Sequence, residues 1–253
     1  MKKIYIGFGL NGVNADRYNG WDGKLNAAEY DIHDMGELAH QIGFFAVKQY
    51  FGEDATIQNL REAFKWARKQ FRTEGGLLWF NFSGHGGQLL NHETLCLYDQ
   101  QMLDTSIVKE LRSFNKAVRV IAMYDCCHSG GLDKGLGLFT DFDVSEYRIK
   151  AMDPDVAILA ADNVESRGVA RVPKGESVVK CLMACQKDQS AYDGKRNGVF
   201  TAAVKAVFAK QSRGLDYQTL IGETTNYIVK MQLPRLVTVP NVDLFADTMN
   251  VFL

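Results

Sequence analysis

Two runs decide the class of fold. Residues 77–82 (LLWFNF) and 118–124 (VRVIAMY) are apolar at nearly every position, so both faces of each must be covered. Strands of that kind belong inside a mainly parallel sheet with helices on both sides, rather than in a sheet with one wet face. The neighbouring sequence agrees. Residues 3–8 (KIYIGF), 44–47 and 178–184 read as further strands. Between them lie helical patterns. The stretch 27–42 places Ile32, Met35, Ala39 and Ile42 on one face, and 56–71 aligns Ile57, Leu60, Phe64, Ala67 and Phe71 behind Thr56 as N-cap. Further helices are expected over 104–114, 199–210 and 217–231. The expected fold is α/β, a mainly parallel central sheet flanked by helices, with its working site beyond the carboxyl ends of the strands.

A chain of 253 residues with four prolines and no repeat is read as one domain. The net charge of −1, without a basic stripe, argues against nucleic acid as a partner. No stretch approaches the roughly 20 apolar residues that cross a bilayer. The apolar start is broken by Gly7, Gly9, Asn11, Gly12 and Asn14, unlike a secretory leader. Five cysteines form no dense framework, which suits free thiols in a reducing compartment. A cytoplasmic location is expected, with no membrane partner.

Two strand ends carry unusual chemistry. Residues 77–82 run into Ser83, Gly84, His85, Gly86 and Gly87, and residues 118–124 run into Asp125, Cys126, Cys127, His128, Ser129 and Gly130. In a parallel sheet both ends meet at one edge. Three consecutive potential ligands point alternately on an extended chain, so Cys126, Cys127 and His128 do not suit one zinc ion, and no Cys-x-x-Cys redox motif exists. Cys127 can be a packed core thiol, but the glycine-rich loop that follows leaves room for an exposed one. The glycines beside His85 permit close approach of backbone, and a free N–H beside a histidine suits an oxyanion site. His128, next to the thiol, projects away from it and is read as structural.

These two blocks resemble the signature motifs of metacaspases and related bacterial caspase-like cysteine peptidases, of the orthocaspase type. Further stretches are similar in the expected order, among them Trp21 to Leu25, Cys96 to Asp99, Ala184 to Gln189, Asn197 to Thr201 and Gln232 to Pro234. The resemblance implies a caspase-type three-layer sandwich, with a large-subunit-like part to about residue 140, a loop over 136–177 and a small-subunit-like part over 178–253. It implies that Cys127 is the nucleophile, His85 its proton-handling partner, and the backbone N–H groups of Gly86 and Cys127 the oxyanion donors. Cys126 then serves packing.

It further implies an acidic specificity pocket built from Asp125 and Asp31, with Ser83 on the same wall. Two carboxylates favour an arginine or lysine side chain and repel aspartate. Asp125 as a backbone-capping acid and Asp31 as an exposed helix acid are the competing readings. The segment after the histidine motif lacks an acidic cluster. Asp104, Glu93 and Asp133 are the remaining calcium candidates, too few for a hard cation that wants six to eight oxygens. No cofactor and weak or absent calcium dependence are therefore expected. The loop offers Arg148, Lys150, Arg167, Arg171 and Lys174 as exposed self-processing positions. The expected activity is a cysteine endopeptidase cutting protein or peptide substrates after Arg or Lys. Its target by family analogy is a bacterial death or defence effector. A catalytically silent caspase-like interaction module is the alternative.

Overall fold

The computed structural model describes residues 1–72, 74–89, 92–127, 146–160, 164–165, 176–187, 189–211, 214–228, 231–239 and 251. Its centre is a six-stranded sheet. The strands in chain order are β1 (Lys3–Gly9), β2 (Ala46–Phe51), β3 (Gly76–Ser83), β7 (Val118–Asp125), β10 (Val179–Met183) and β12 (Arg235–Val239). They lie side by side as β12-β10-β7-β3-β1-β2, and all pairings are parallel except β10 with β12. The fold is therefore the expected α/β sandwich, with one antiparallel edge. Its central strands β3 and β7 carry the two apolar runs, and every side chain of β3 is buried.

Helices α1 (Ala28–Gln41), α5 (Val199–Lys210) and α6 (Tyr217–Ile228) cover one face, and α2 (Ile57–Gln70) and α3 (Asp104–Arg112) the other. Thr56 caps α2 as the sequence predicts, its side chain accepting from the Asn59 N–H at 3.2 Å. Ile57, Leu60, Ala63, Phe64 and Ala67 then face the sheet. Each fully buried phenylalanine such as Phe64 or Phe80 contributes roughly 1.5–3 kcal/mol.

Strand alternation sends adjacent residues to opposite layers. Cys126 packs among the residues under α2 and α3, and Cys127 among those under α1 and α5. One register aligns Gly9, Ser83 and Asp125 across β1, β3 and β7. His85 and Cys127 each lie two residues past that row.

Three features depart from the sequence reading. The second strand spans Ala46–Phe51 rather than 44–47, because Phe44 is a buried anchor before the strand while Phe45 is 61% exposed. Short strands β4 (Gly86–Leu89), β5 (His92–Cys96), β6 (Gln101–Leu103) and β9 (Val164–Glu165) make a second sheet, and β8 (Arg148–Ile149) pairs antiparallel with β11 (Tyr192–Asp193). Helix α4 (Pro154–Leu159) lies beside β4. Among the described residues no helix is long and apolar enough to cross a membrane.

Candidate active site

The row of strand ends is closed by a segment of the chain itself. Residues 148 and 149 pair with β11, and the Lys150 N–H continues that ladder by donating to the Ala191 carbonyl at 2.9 Å. The Lys150 carbonyl then accepts two backbone N–H groups, from Gly86 at 3.0 Å and from Cys127 at 3.1 Å. Past it, Ala151 bridges to Gly86, and the Met152 N–H donates to the Gly86 carbonyl at 2.7 Å. This proximity requires glycine at 86, since a Cβ there would fall 1.6 Å from the Cys127 carbonyl oxygen.

The Lys150 side chain is fully buried, and its ammonium meets the acids the sequence singled out. It donates to Asp31 Oδ2 and to Ser83 Oγ, both at 2.9 Å, and pairs with Asp125 Oδ1 at 3.1 Å. Asp193 Oδ1 stands 3.9 Å away. Ser83 in turn donates to Asp31 at 2.7 Å. The pocket thus gathers three carboxylates around one ammonium. They hold the lysine above its ordinary value against the opposing effect of burial. Burial pushes Asp31 up to about 6, with Lys150 pulling it back and Asp125 adding repulsion.

The acids are built in by helix ends. Neither α1 nor α5 begins with a side-chain cap of its own. Asp193 accepts from the Asn26 and Ala27 N–H groups at the start of α1, at 2.7 and 3.2 Å. Asp125 accepts from the N–H and hydroxyl of Thr201 in the first turn of α5, at 3.1 and 2.7 Å. Each carboxylate sits where a helix N-terminus favours negative charge. Asp125 thus caps α5 with Oδ2 and pairs with Lys150 through Oδ1. Asp31 is no exposed helix acid, for it is fully buried and also accepts from the Gly198 N–H at 2.8 Å. A Cβ at Gly198 would lie 2.5 Å from both Asp125 Oδ2 and Lys150 Nζ.

Cys127 donates its own N–H to the Lys150 carbonyl, and His85 immediately precedes Gly86, the other donor. Of the two readings left open for the thiol, it is the buried one, with 150–151 and Ala191 packed against it. Its sulfur accepts from the Ala191 N–H at 3.0 Å. Cys126 is buried in the opposite layer, and burial drives its thiol well above the ordinary value. His85 donates its Nε2–H to the Gly23 carbonyl, 2.9 Å away, and stacks edge-on against Trp21 at 4.7 Å. Its Nδ1 is buried without a hydrogen-bond partner. Burial pushes the imidazole down to about 4, Lys150 adding to this while the backbone of Gly23 and Ala151 opposes it.

The caspase-domain family matches residues 13–245. The chain belongs to that family. A crystal structure of the protein GSU0716 from Geobacter sulfurreducens is similar, with 26% identity over 94% of this chain and 93% of that one, and a TM-score of 0.76. No curated protein matches. As a caspase domain the chain is a cysteine-peptidase-type fold whose substrates are proteins.

Several expectations for this caspase domain need amending. The would-be oxyanion N–H groups are not free but taken by Lys150, and Lys150 is a buried residue rather than one in an exposed loop. Arg148 is exposed, its guanidinium donating to the Lys24 carbonyl at 2.7 Å. Arg167, Arg171, Lys174, His128 and Asp133 lie outside the described residues. Of the calcium candidates, Glu93 is half-buried and pairs with Lys187 at 3.9 Å, and burial raises its carboxyl. Asp104 accepts from the N–H of Thr105 at 2.6 Å.

Sequence reasoning missed Asp193, whose only signal was its position just before the Asn197 to Thr201 landmark. Gln232 stood there only as part of a similar stretch, with no role given; it is fully buried, accepts from the Tyr192 N–H at 3.1 Å and donates to the Ala184 carbonyl at 2.8 Å. Those bonds tie β11, the strand that Lys150 pairs against, to the end of β10.

Proposed function

We propose that this caspase domain is an endopeptidase that cuts after lysine or arginine, with Cys127 as nucleophile and His85 as its proton carrier. One observation carries the reading: the chain's own Lys150 is seated as a substrate residue would be, its ammonium among three carboxylates and its carbonyl on the N–H groups of Gly86 and Cys127. An aspartate in that pocket would meet only like charge. Both N–H groups aim at the oxygen that becomes anionic on attack, and such donors are worth roughly 10²–10³ in rate each.

The depressed imidazole is a neutral base at pH 7. It takes the thiol proton as sulfur bonds to the carbonyl carbon, then delivers it to the departing nitrogen as the C–N bond breaks. Water hydrolyses the thioester, releasing the carboxylate and restoring the thiol. The same placement makes the bond between Lys150 and Ala151 the self-processing position among the basic residues of the loop. The uncut segment also occupies the site, so external substrates compete with it. No step here calls for calcium, and activity is expected without it. A bacterial death or defence effector with an accessible basic residue is the substrate the family resemblance suggests.

The test is hydrolysis of matched fluorogenic peptides ending in Lys, Arg or Asp by wild type and Cys127→Ala, with calcium or chelator. The reading expects turnover of the basic peptides only, lost in Cys127→Ala and indifferent to calcium. Turnover of the aspartyl peptide, or none by wild type, would overturn it; the latter favours the silent module.

A further inference from the structure

The two sides of the Lys150–Ala151 bond are held very differently. Ahead of it, Arg148 and Ile149 are exposed and rest on a two-residue ladder with Asp193 and Tyr192. Beyond it, the chain is anchored at successive points. The Met152 N–H donates to the Gly86 carbonyl at 2.7 Å, next to the bridge between Ala151 and Gly86. The Met152 side chain is sealed among Val13, Tyr18, Cys96, Ala157 and Ala160, with its sulfur 4.0 Å from that of Cys96. Packing there is tight, since a Cβ at Gly87 would fall 2.6 Å from Met152 Cε. Further along, the Ala157 carbonyl accepts from Gln101 Nε2 at 3.5 Å, and β9 pairs with β6. None of these contacts involves the Lys150–Ala151 bond, so breaking it leaves the new amino terminus where it forms. The site is also dry, because Lys150 and Cys127 are fully buried and His85 nearly so.

We infer that the protein has a second activity on itself: the Ala151 amine, retained beside the Cys127 thioester, attacks it and remakes the Lys150–Ala151 bond in competition with water. This rests on reading the site as a peptidase that cuts after Lys150. The step balances without a further reactant. The amine leaves neutral, having taken its second proton from His85. On return its nitrogen bonds to the thioester carbon, the C–S bond breaks, and the proton passes back through His85 to the sulfur. A tethered, well-oriented group acts at an effective concentration of roughly 10⁵ M or more, which favours return over hydrolysis in a site screened from water. A separate peptide substrate brings no α4 or β9 to hold its leaving amine, so that amine departs and water completes the reaction. Self-cleavage is therefore reversible at the thioester, and fragments accumulate only as water intercepts it.

The experiment follows loss of the intact wild-type chain by mass at neutral pH over a series of hydroxylamine concentrations. Hydroxylamine is a small amine that captures thioesters. Where most thioester returns to peptide bond, loss of intact chain accelerates in proportion to hydroxylamine, severalfold across the series, and the fragment 1–150 ends in a hydroxamate. Cys127→Ala treated alike reports any cleavage that does not pass through the thiol. Met152→Ala loosens the anchor beyond the bond, and it should lose intact chain faster in water alone and respond less to hydroxylamine. Should that variant fail to fold, the wild-type series decides. Fragments formed at a rate independent of hydroxylamine, and absent in Cys127→Ala, would overturn this inference and leave the peptidase reading standing. No loss of intact chain at any concentration would overturn both.

Discussion

Asp31 and Asp34 sit one turn apart on α1, and both are buried carboxylates facing a lysine. They end in opposite states. Asp34 is bound by Lys205 of α5, with Arg196 at 3.4 Å, and bonds from Lys205, His33 and Asn197 outweigh its burial to lower its carboxyl. At Asp31 burial wins and the carboxyl rises to about 6. The difference lies in who supplies the cation. Lys205 belongs to a helix packed against α1 and is a third exposed, so its pair is a structural clamp between the two. Lys150 follows a strand of two residues, sets its ammonium among acids, and accepts at its carbonyl from the Cys127 N–H. A cation that serves only stability needs no such placement of its backbone.

The largest expected effect separates the two aspartates by pH. His85, depressed from 6.5 to about 4, binds protons more readily unfolded than folded. Its stabilisation is therefore full above pH 6.5 and lost as pH falls toward 4, an effect of about 3 kcal/mol. Asp31, raised to about 6, has the opposite sign, favouring the fold as pH falls over the same window. The two offset in the wild type. Urea denaturation of Asp31→Asn between pH 6.5 and 4 should unmask the His85 loss, whereas Asp34→Asn should not, since the lowered Asp34 carboxyl loses its contribution only below about 4. Equal acid profiles in the two variants would break the comparison.

Next in size is an effect on activity. Removing the Asp31 charge weakens the pocket's hold on a basic side chain, and Asp31→Asn should lower kcat/KM for lysyl peptides roughly 10- to 100-fold. Asp34→Asn should stay within a few-fold of wild type. The smallest effect is on the clamp itself. Lys205→Met should cost about 1–2 kcal/mol in urea denaturation, less than a sealed buried pair because Arg196 remains beside Asp34, and should leave lysine selectivity intact.

Much of this frame was legible in the residues. The runs 77–82 and 118–124 dictated central strands, and period-two alternation alone separates Cys126 from Cys127. Thr56 marked its helix correctly. The small sheet of β4, β5, β6 and β9 was not legible, because strands such as Gly86–Leu89 (GGQL) and Gln101–Leu103 carry no apolar period and form only by pairing. Asp31, Ser83 and Asp125 were found through family resemblance, since nothing in local spacing says that an acid on the first helix meets one at the end of the seventh strand. Lys150 stood in the sequence as one basic residue among five in a polar stretch. Only the three-dimensional path brings its side chain to Asp31, Asp125 and Ser83 and its carbonyl to the Gly86 and Cys127 N–H groups together. Asp193 was hidden for the same reason, as it acts across the chain on the start of α1.

The central claim is that Lys150 is held as the residue before a cut. Intact-mass analysis of purified wild type and Cys127→Ala over a prolonged incubation tests it most directly. The account predicts two fragments in wild type, residues 1–150 and 151–253, and a single unbroken mass in Cys127→Ala. Cleavage elsewhere with this bond intact, or the same fragments from Cys127→Ala, would contradict it.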